Sequence, residues 1–254
     1  GEIHSQAVIK GKKFKGAIVI EPTKGIHFNV TVLDFASLYP SIIKEYNLSY
    51  ETVECPDPDC RKNILPGTDY CVCKKRTGIL SAIVGFLRDI RVNWFKTKSK
   101  DKNIPDKLRQ YYKVIEQALK VFINASYGVL GSENFPLYTP PVADATTAIG
   151  RYAITKVIEE AKAIGVPVLY GDTDSVFLKN PSKTQIDSII EWSIKTLGID
   201  LDVDKVYRYV ALSDRKKNYL GVYESGNVDI KGLTGKKKHV PNFIQDAFTN
   251  MIGV

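Results

Sequence analysis

The 254-residue chain is 44% hydrophobic and 25% charged, an ordinary globular composition with room for one large domain or two modest ones. That composition excludes a disordered, collagenous or coiled-coil protein, and no apolar run reaches the roughly 18–20 residues of a membrane-spanning helix. Lys and Arg total 36 against 28 Asp and Glu, a net charge of +8 that favours a polyanionic partner.

The N-terminal GEIHSQAVIKGKKFKG is polar and basic, with no secretory leader, and Met251 is the one methionine, so the chain reads as a piece of a longer protein. Residues 15–21 and 27–36 are predicted strands, the second an apolar, β-branched run that reaches Asp34. SLYPSIIKEY follows as a helix, with Pro40 suited to its first turn. Cys55, Cys60, Cys71 and Cys73 then fall in a Pro- and Gly-bearing loop with C-x4-C-x10-C-x-C spacing. Four thiolates in so short a stretch are a candidate Zn2+ site. The spacing departs from paired C-x2-C knuckles, and disulfides or free thiols remain as alternatives.

From Gly78 to about Lys100 apolar residues recur with a helical period, and after a break around Pro105 a second helical pattern runs from Leu108 to about Tyr127. These predict two antiparallel helices. Between Arg88 and Lys120 there are ten basic and four acidic residues, so much of the positive excess lies on this hairpin. A helix is predicted over 141–164, a β-hairpin over VPVLYGDTDSVFL, a helix over 183–197, and strands over 205–212 and 218–223. Strands and helices mix without βαβ alternation, which predicts an α+β fold with an antiparallel sheet.

Three carboxylates stand out. Asp34 closes an apolar strand, and Asp172 and Asp174 sit two apart at a hairpin tip, where side chains share one space. Acids flanked by Val, Leu, Tyr and Phe are costly to bury without a compensating charge, and Mg2+ or Mn2+ suits carboxylate oxygens. The bland alternative for Asp172 and Asp174 is ordinary turn formation.

The strings DFASLYPSI (34–42), KVFINASYG (120–128) and YGDTDS (170–175) occur in this order and together resemble the three polymerase motifs of the family B DNA polymerases. Phe14-Lys15-Gly16-Ala17 is similar to that family's template-strand motif, with Phe in place of Tyr, and Lys216-Lys217-Asn218-Tyr219 to its K-K-x-Y motif. The resemblance spans essentially the whole chain and is nearest to archaeal replicative enzymes. It implies an antiparallel-sheet palm over 1–74 and 126–235, including the cysteine loop 55–73, with an inserted helical-hairpin fingers subdomain over 75–125. Residues 236–254 would be a tail or the start of a thumb.

In that family setting Asp34, Asp172 and Asp174 would form the catalytic acidic set holding two Mg2+ or Mn2+ ions. Backbone groups of Ser37 and Leu38 would face the dNTP triphosphate, and Tyr39 would exclude a 2′-hydroxyl. Arg91 would reach the γ-phosphate; Lys120, Asn124 and Tyr127 would line the nucleotide from one helix face. Phe14, Gly16 and Gly128 would meet the template, and Lys216, Lys217 and Tyr219 the primer phosphates, with Lys236 and Lys237 extending that grip. Ala125 and Phe95 depart from residues usual in the family, Ser and Lys. The implied partners are primer-template DNA, dNTPs, the absent exonuclease and thumb domains and replication accessory proteins, at an intracellular location and with no membrane. The alternative is a catalytically incomplete DNA-binding fragment. An RNA-making enzyme is disfavoured by Tyr39, and GLTGKKK (232–238) lacks P-loop spacing.

Overall fold

A computed structural model of the chain describes residues 21–134, 136, 138–232, 246 and 250. The predicted strand 15–21, with Phe14 and Gly16, and the basic cluster with Lys236 and Lys237 lie outside the described residues. The chain divides into two compact units. One comprises residues 1–17 and 36–153, the other 18–35 and 154–254.

The second unit is built on one antiparallel sheet. Its strands are β1 (Gly25–Phe35), β2 (Val168–Gly171), β3 (Ser175–Lys179), β4 (Leu201–Leu212), β5 (Tyr219–Val222) and β6 (Val228–Lys231), in the order β2-β3-β1-β4-β5-β6. Every pairing is antiparallel, as the absence of βαβ alternation predicts. β1 is central, and Val30, Thr31, Val32 and Leu33 are all buried, so both sheet faces are covered there. Val30, Val32, Leu169, Tyr170, Phe177, Tyr207, Val210, Leu212 and Tyr219 form one continuous cluster in this unit. The hairpin β2–β3 falls where VPVLYGDTDSVFL predicts it. β4 begins four residues before its predicted start, and β6 goes unpredicted because its Val-Asp-Ile-Lys alternation runs for only four residues. The register of β1 against β4 shifts between Val32 and Leu33, which pair with Lys205 and Val203, leaving Asp204 as the extra residue of a bulge.

The first unit is helical. It holds α1 (Leu38–Glu45), α2 (Ile79–Asp89), which continues as a π-helical turn over Ile90–Lys96, and α3 (Asp106–Leu130). α4 (Pro140–Ala163) gives its first part to this unit and its remainder to the second. Pro40 sits within the first turn of α1 and Pro140 opens α4, both positions where a missing N–H costs nothing. α5 (Lys183–Trp192) belongs to the second unit. Its N-cap Ser182 and Gln185 form a reciprocal capping box.

The cysteine loop connects α1 to α2 within the first unit. Isolated antiparallel bridges Val53↔Val72 and Ile64↔Cys71 fold it back on itself. Asn47 anchors it: its amide donates to the Cys73 and Arg76 carbonyls at 2.8 and 2.9 Å, and its side-chain oxygen accepts the Gly78 N–H at 2.7 Å. The loop is thereby tied to the residue that caps α2.

Candidate active site

In the sheet unit, Asp34 pairs with Ser175 on β3, and the adjacent Phe35 N–H donates to the Asp174 carbonyl at 2.8 Å. Cross-strand pairing thus brings together two acids that are 140 positions apart in the chain. Asp34, Asp172 and Asp174 line one cavity of about 310 Å³. Its walls also include Val32, Tyr170, Ser175, Phe177 and Tyr219, the residues that period-2 alternation puts on the same side of their strands. The three carboxylates share the cavity without converging within 4.8 Å as a set.

Four acids, Asp34, Asp172, Asp174 and Asp204, and three lysines, Lys205, Lys217 and Lys231, line the cavity. Asp174 keeps an accessible side chain, yet its carboxyl is held above the usual range, first because the walls withdraw water and then because Asp172 adds like charge. Asp172 accepts from the Thr173 N–H at 2.8 Å, which fixes its direction.

Sequence reasoning missed Asp204, Lys205, Lys231 and Tyr170 as cavity residues. Asp204 enters through the β4 bulge, and no local pattern announces a bulge. Lys205 is aimed by Asp229, which accepts from its Nζ at 2.7 Å and from the Tyr207 hydroxyl at 2.5 Å. Tyr170 is buried and its phenol is pushed up to about 12, chiefly by that burial. The only available signal was its place in the YGDTDS string.

Lys217 reaches the same cavity from the β4–β5 turn, with Nζ 3.5 Å from Asp172 and its N–H donating to the Tyr170 hydroxyl at 2.9 Å. Its φ of 60° is left-handed, a conformation a Lys holds only when its surroundings impose it. Ser213 closes that turn by donating to the Asn218 carbonyl at 2.9 Å. Lys216 is exposed beside it, whereas Tyr219 is buried, its ring 5.1 Å from Phe177.

The remaining candidates lie in the helical unit. Ser37 is the N-cap of α1 and is also left-handed, with φ 54°. Leu38 behind it is buried. The Ser37 hydroxyl accepts from Arg91 Nη1 at 2.7 Å, and Arg91 Nη2 lies 2.5 Å from a Glu116 carboxylate oxygen. The Arg91 side chain is only 8% exposed, and its Nε finds no acceptor among the described residues. A buried donor without a partner is uncommon and costly. The π-helical turn carries Arg91, and such wide turns recur at functional positions.

Tyr39 packs against Tyr127 of α3 with ring centroids 4.6 Å apart, and burial together with Tyr39 pushes the Tyr127 phenol up to about 12. Gly150 of α4 lies under Tyr39: a Cβ there would stand 3.2 Å from the ring. Its one sequence signal was a glycine inside a helical pattern. Lys120 and Asn124 project from α3 into solvent. Gly128 is exposed on the same helix, and among the described residues nothing beyond its own turn of helix lies within 4 Å of where its Cβ would be.

All four cysteines are buried and none is in a disulfide. The sulfurs of Cys55, Cys60 and Cys73 all lie within 4.8 Å of one another, and Cys71 stands outside that group. The loop therefore gathers three thiols rather than the four its spacing offered.

A strand-end acid beside a hairpin-tip pair in an antiparallel sheet defines the class: an α+β domain with a cavity lined by Asp34, Asp172 and Asp174. The chain belongs to the DNA polymerase family B, whose model matches residues 3–253. It is 51% identical over 253 residues to DNA polymerase 1 of Sulfurisphaera ohwakuensis, covering 98% of this chain and 29% of that protein. DNA polymerase 1 of Saccharolobus solfataricus is likewise 51% identical over 252 residues, with the same coverage. Among solved structures, the family B DNA polymerase of the hyperthermophilic archaeon Pyrobaculum calidifontis matches with a TM-score of 0.70 at 32% identity, over 94% of this chain and 34% of that one. The chain thus spans about a third or less of the length of these relatives. Among the described residues no helix is long and apolar enough to cross a membrane.

Proposed function

We propose that this chain is the palm and fingers portion of a DNA-directed DNA polymerase that adds deoxynucleotides to a primer 3′-hydroxyl. The primer oxygen bonds to the α-phosphorus of a dNTP, the bond from that phosphorus to the bridging oxygen breaks, pyrophosphate leaves and the hydroxyl proton passes to solvent. The observation that carries this reading is that Asp34, Asp172 and Asp174 line one cavity. Hard carboxylate oxygens in a space that makes ionised Asp174 costly without a counter-charge fit Mg2+ or Mn2+. When bound, two such ions supply Lewis acidity to the attacking and leaving oxygens.

The chain's own residues do the rest. Asp34 and Asp174 would hold the ions, and Asp172 would complete the acidic wall, with Lys217 Nζ 3.5 Å from its carboxylate. Arg91 would turn its planar guanidinium, held by the Ser37 hydroxyl and Glu116, to a triphosphate oxygen. Ser37 and Leu38 present backbone donors at the start of α1. Tyr39, held between Tyr127 and Gly150, closes the space a 2′-hydroxyl would need. Lys120 and Asn124 contribute from the solvent face of α3, and Gly128 leaves room for a template base. Lys216, Lys217 and Tyr219 grip the primer strand, with Phe14 and Gly16 on the template and Lys236 and Lys237 further along the duplex.

In this reading the palm comprises 1–74 and 126–235, the fingers 75–125, and 236–254 begins a thumb. Primer-template DNA and dNTPs are its substrates, and exonuclease and thumb domains and replication accessory proteins are its partners inside the cell. Nucleotidyl transfer needs none of the four cysteines. A second reading, a DNA-binding piece that is catalytically incomplete without those domains, is favoured by one fact: the chain spans 29% of the relatives it matches. Primer extension with Mg2+ and dNTPs, beside an Asp174→Asn control, separates the two. Extension that disappears in the control supports the first; folded protein that binds primer-template but extends nothing supports the second.

A further inference from the structure

The cysteine loop is built for more than a turn. Cys60 closes the 3-10 turn Pro58–Cys60, whose N-cap Asp57 accepts from the Asp59 N–H at 3.0 Å. Cys73 is pinned by its N–H, which donates to the Thr52 carbonyl at 2.8 Å, and by Asn47, which donates to its own carbonyl. Cys55, Cys60 and Cys73 are 7%, 1% and 4% exposed and form a small cluster of their own.

Distance limits what such a cluster can hold. Tetrahedral coordination with Zn–S bonds of about 2.3 Å sets sulfurs about 3.8 Å apart. The observed mutual separations, all under 4.8 Å, are within a small side-chain adjustment of that. A disulfide between any two would strand the third sulfur, buried and without a sulfur partner. Cys71 lies apart, its N–H donating to a Glu54 carboxylate oxygen at 2.8 Å.

We propose that Cys55, Cys60 and Cys73 bind one soft divalent cation, zinc by their donor chemistry, with a non-cysteine ligand in the fourth position and Cys71 uninvolved. Binding releases the three thiol protons to solvent and forms three metal–sulfur bonds without oxidation. The metal then locks the α1–α2 connection and, through Asn47 and Gly78, the N-terminus of α2.

The test is metal analysis of the full chain purified under reducing conditions without added metal, followed by cobalt substitution. One equivalent of zinc per chain, and an intense thiolate-to-cobalt charge-transfer band after exchange, are expected. Cys60→Ser should lose the metal and Cys71→Ser should keep it. Metal-free folded protein that takes up no cobalt, or a non-reduced mass lighter by two hydrogens per bridge, overturns the site. Retention in folded Cys60→Ser, or loss in folded Cys71→Ser, overturns the ligand set. Should Cys60→Ser fail to fold by circular dichroism, the wild-type cobalt spectrum decides alone.

Discussion

Arg91 and Glu116 form a buried ion pair, 2.5 Å apart and 8% and 15% exposed, linking the π turn after α2 to α3. The pair compensates a guanidinium that, on the proposed function, serves a triphosphate. Glu116 would then hold Arg91 ready while no nucleotide is present, and share it once an anion arrives. Glu116→Gln keeps the side chain's shape and removes its charge. Leaving one buried charge uncompensated should cost the nucleotide-free protein about 3 kcal/mol. Added dNTP should raise the melting temperature of the variant more than that of the wild type. Equal ligand-induced shifts would show that Arg91 does not meet the triphosphate.

Asp174 makes a pH-dependent prediction. The folded state holds its proton more tightly than the unfolded chain does. Its contribution to stability is therefore lost as pH rises from the ordinary carboxyl value of about 3.9 through the raised folded value, and it is destabilising when ionised. Asp174→Asn should melt higher than wild type at pH 7 without divalent ions, and the difference should shrink on acidification below the carboxyl range. Mg2+ should stabilise the wild type more than the variant. Polymerisation by the variant should drop at least about 100-fold. Scanning fluorimetry across pH, with and without Mg2+, checks the first two points; a variant less stable at pH 7 would contradict the argument.

Tyr39 rests between the Tyr127 ring and Gly150. Tyr39→Ala should raise ribonucleotide incorporation relative to deoxynucleotide by about 10-fold or more, and Tyr39→Phe should leave discrimination intact, since bulk is what excludes the hydroxyl. Gly150→Ala would set a methyl 3.2 Å from the ring and should shift the discrimination ratio while sparing DNA affinity. Single-nucleotide incorporation kinetics with paired dNTP and rNTP substrates read all three.

Lys217 would be strained in its left-handed backbone with any non-glycine side chain, so Lys217→Ala changes the charge and not the strain. Its Nζ faces Asp172 and the cavity. Affinity for primer-template should fall about equally for all sequences, and the slope of log affinity against log salt should flatten by about one. Titration at several salt concentrations measures that slope. An unchanged slope would move Lys217 from DNA contact to a role inside the cavity alone.

Much of this was legible before any coordinates. The apolar run ending at Asp34 is β1, VPVLYGDTDSVFL is the β2–β3 hairpin, and the periodic stretches after Gly78 and around Leu108 are α2 and α3. These signals are local: a period of two or 3.6 is imposed by the backbone wherever it occurs, and turn residues mark its ends. The identity of the acidic trio and of the family likewise lay in short strings whose residues need no partner to be recognised.

The rest was decided between segments. Asp204 enters the cavity because β4 carries one residue more than β1 at a bulge, and register is a property of two strands. Lys205 and Lys231 face the acids because sheet order sets β4 and β6 near them. Glu116 became significant only when the helical hairpin closed on Arg91, and the cysteine loop separated Cys71 from its three neighbours only when it folded back through Val53 and Val72. Amino-acid order by itself determined which elements form and which groups can do chemistry. Tertiary structure alone determined which of those groups meet, because cross-strand and interhelical distances depend on pairings that no local pattern encodes.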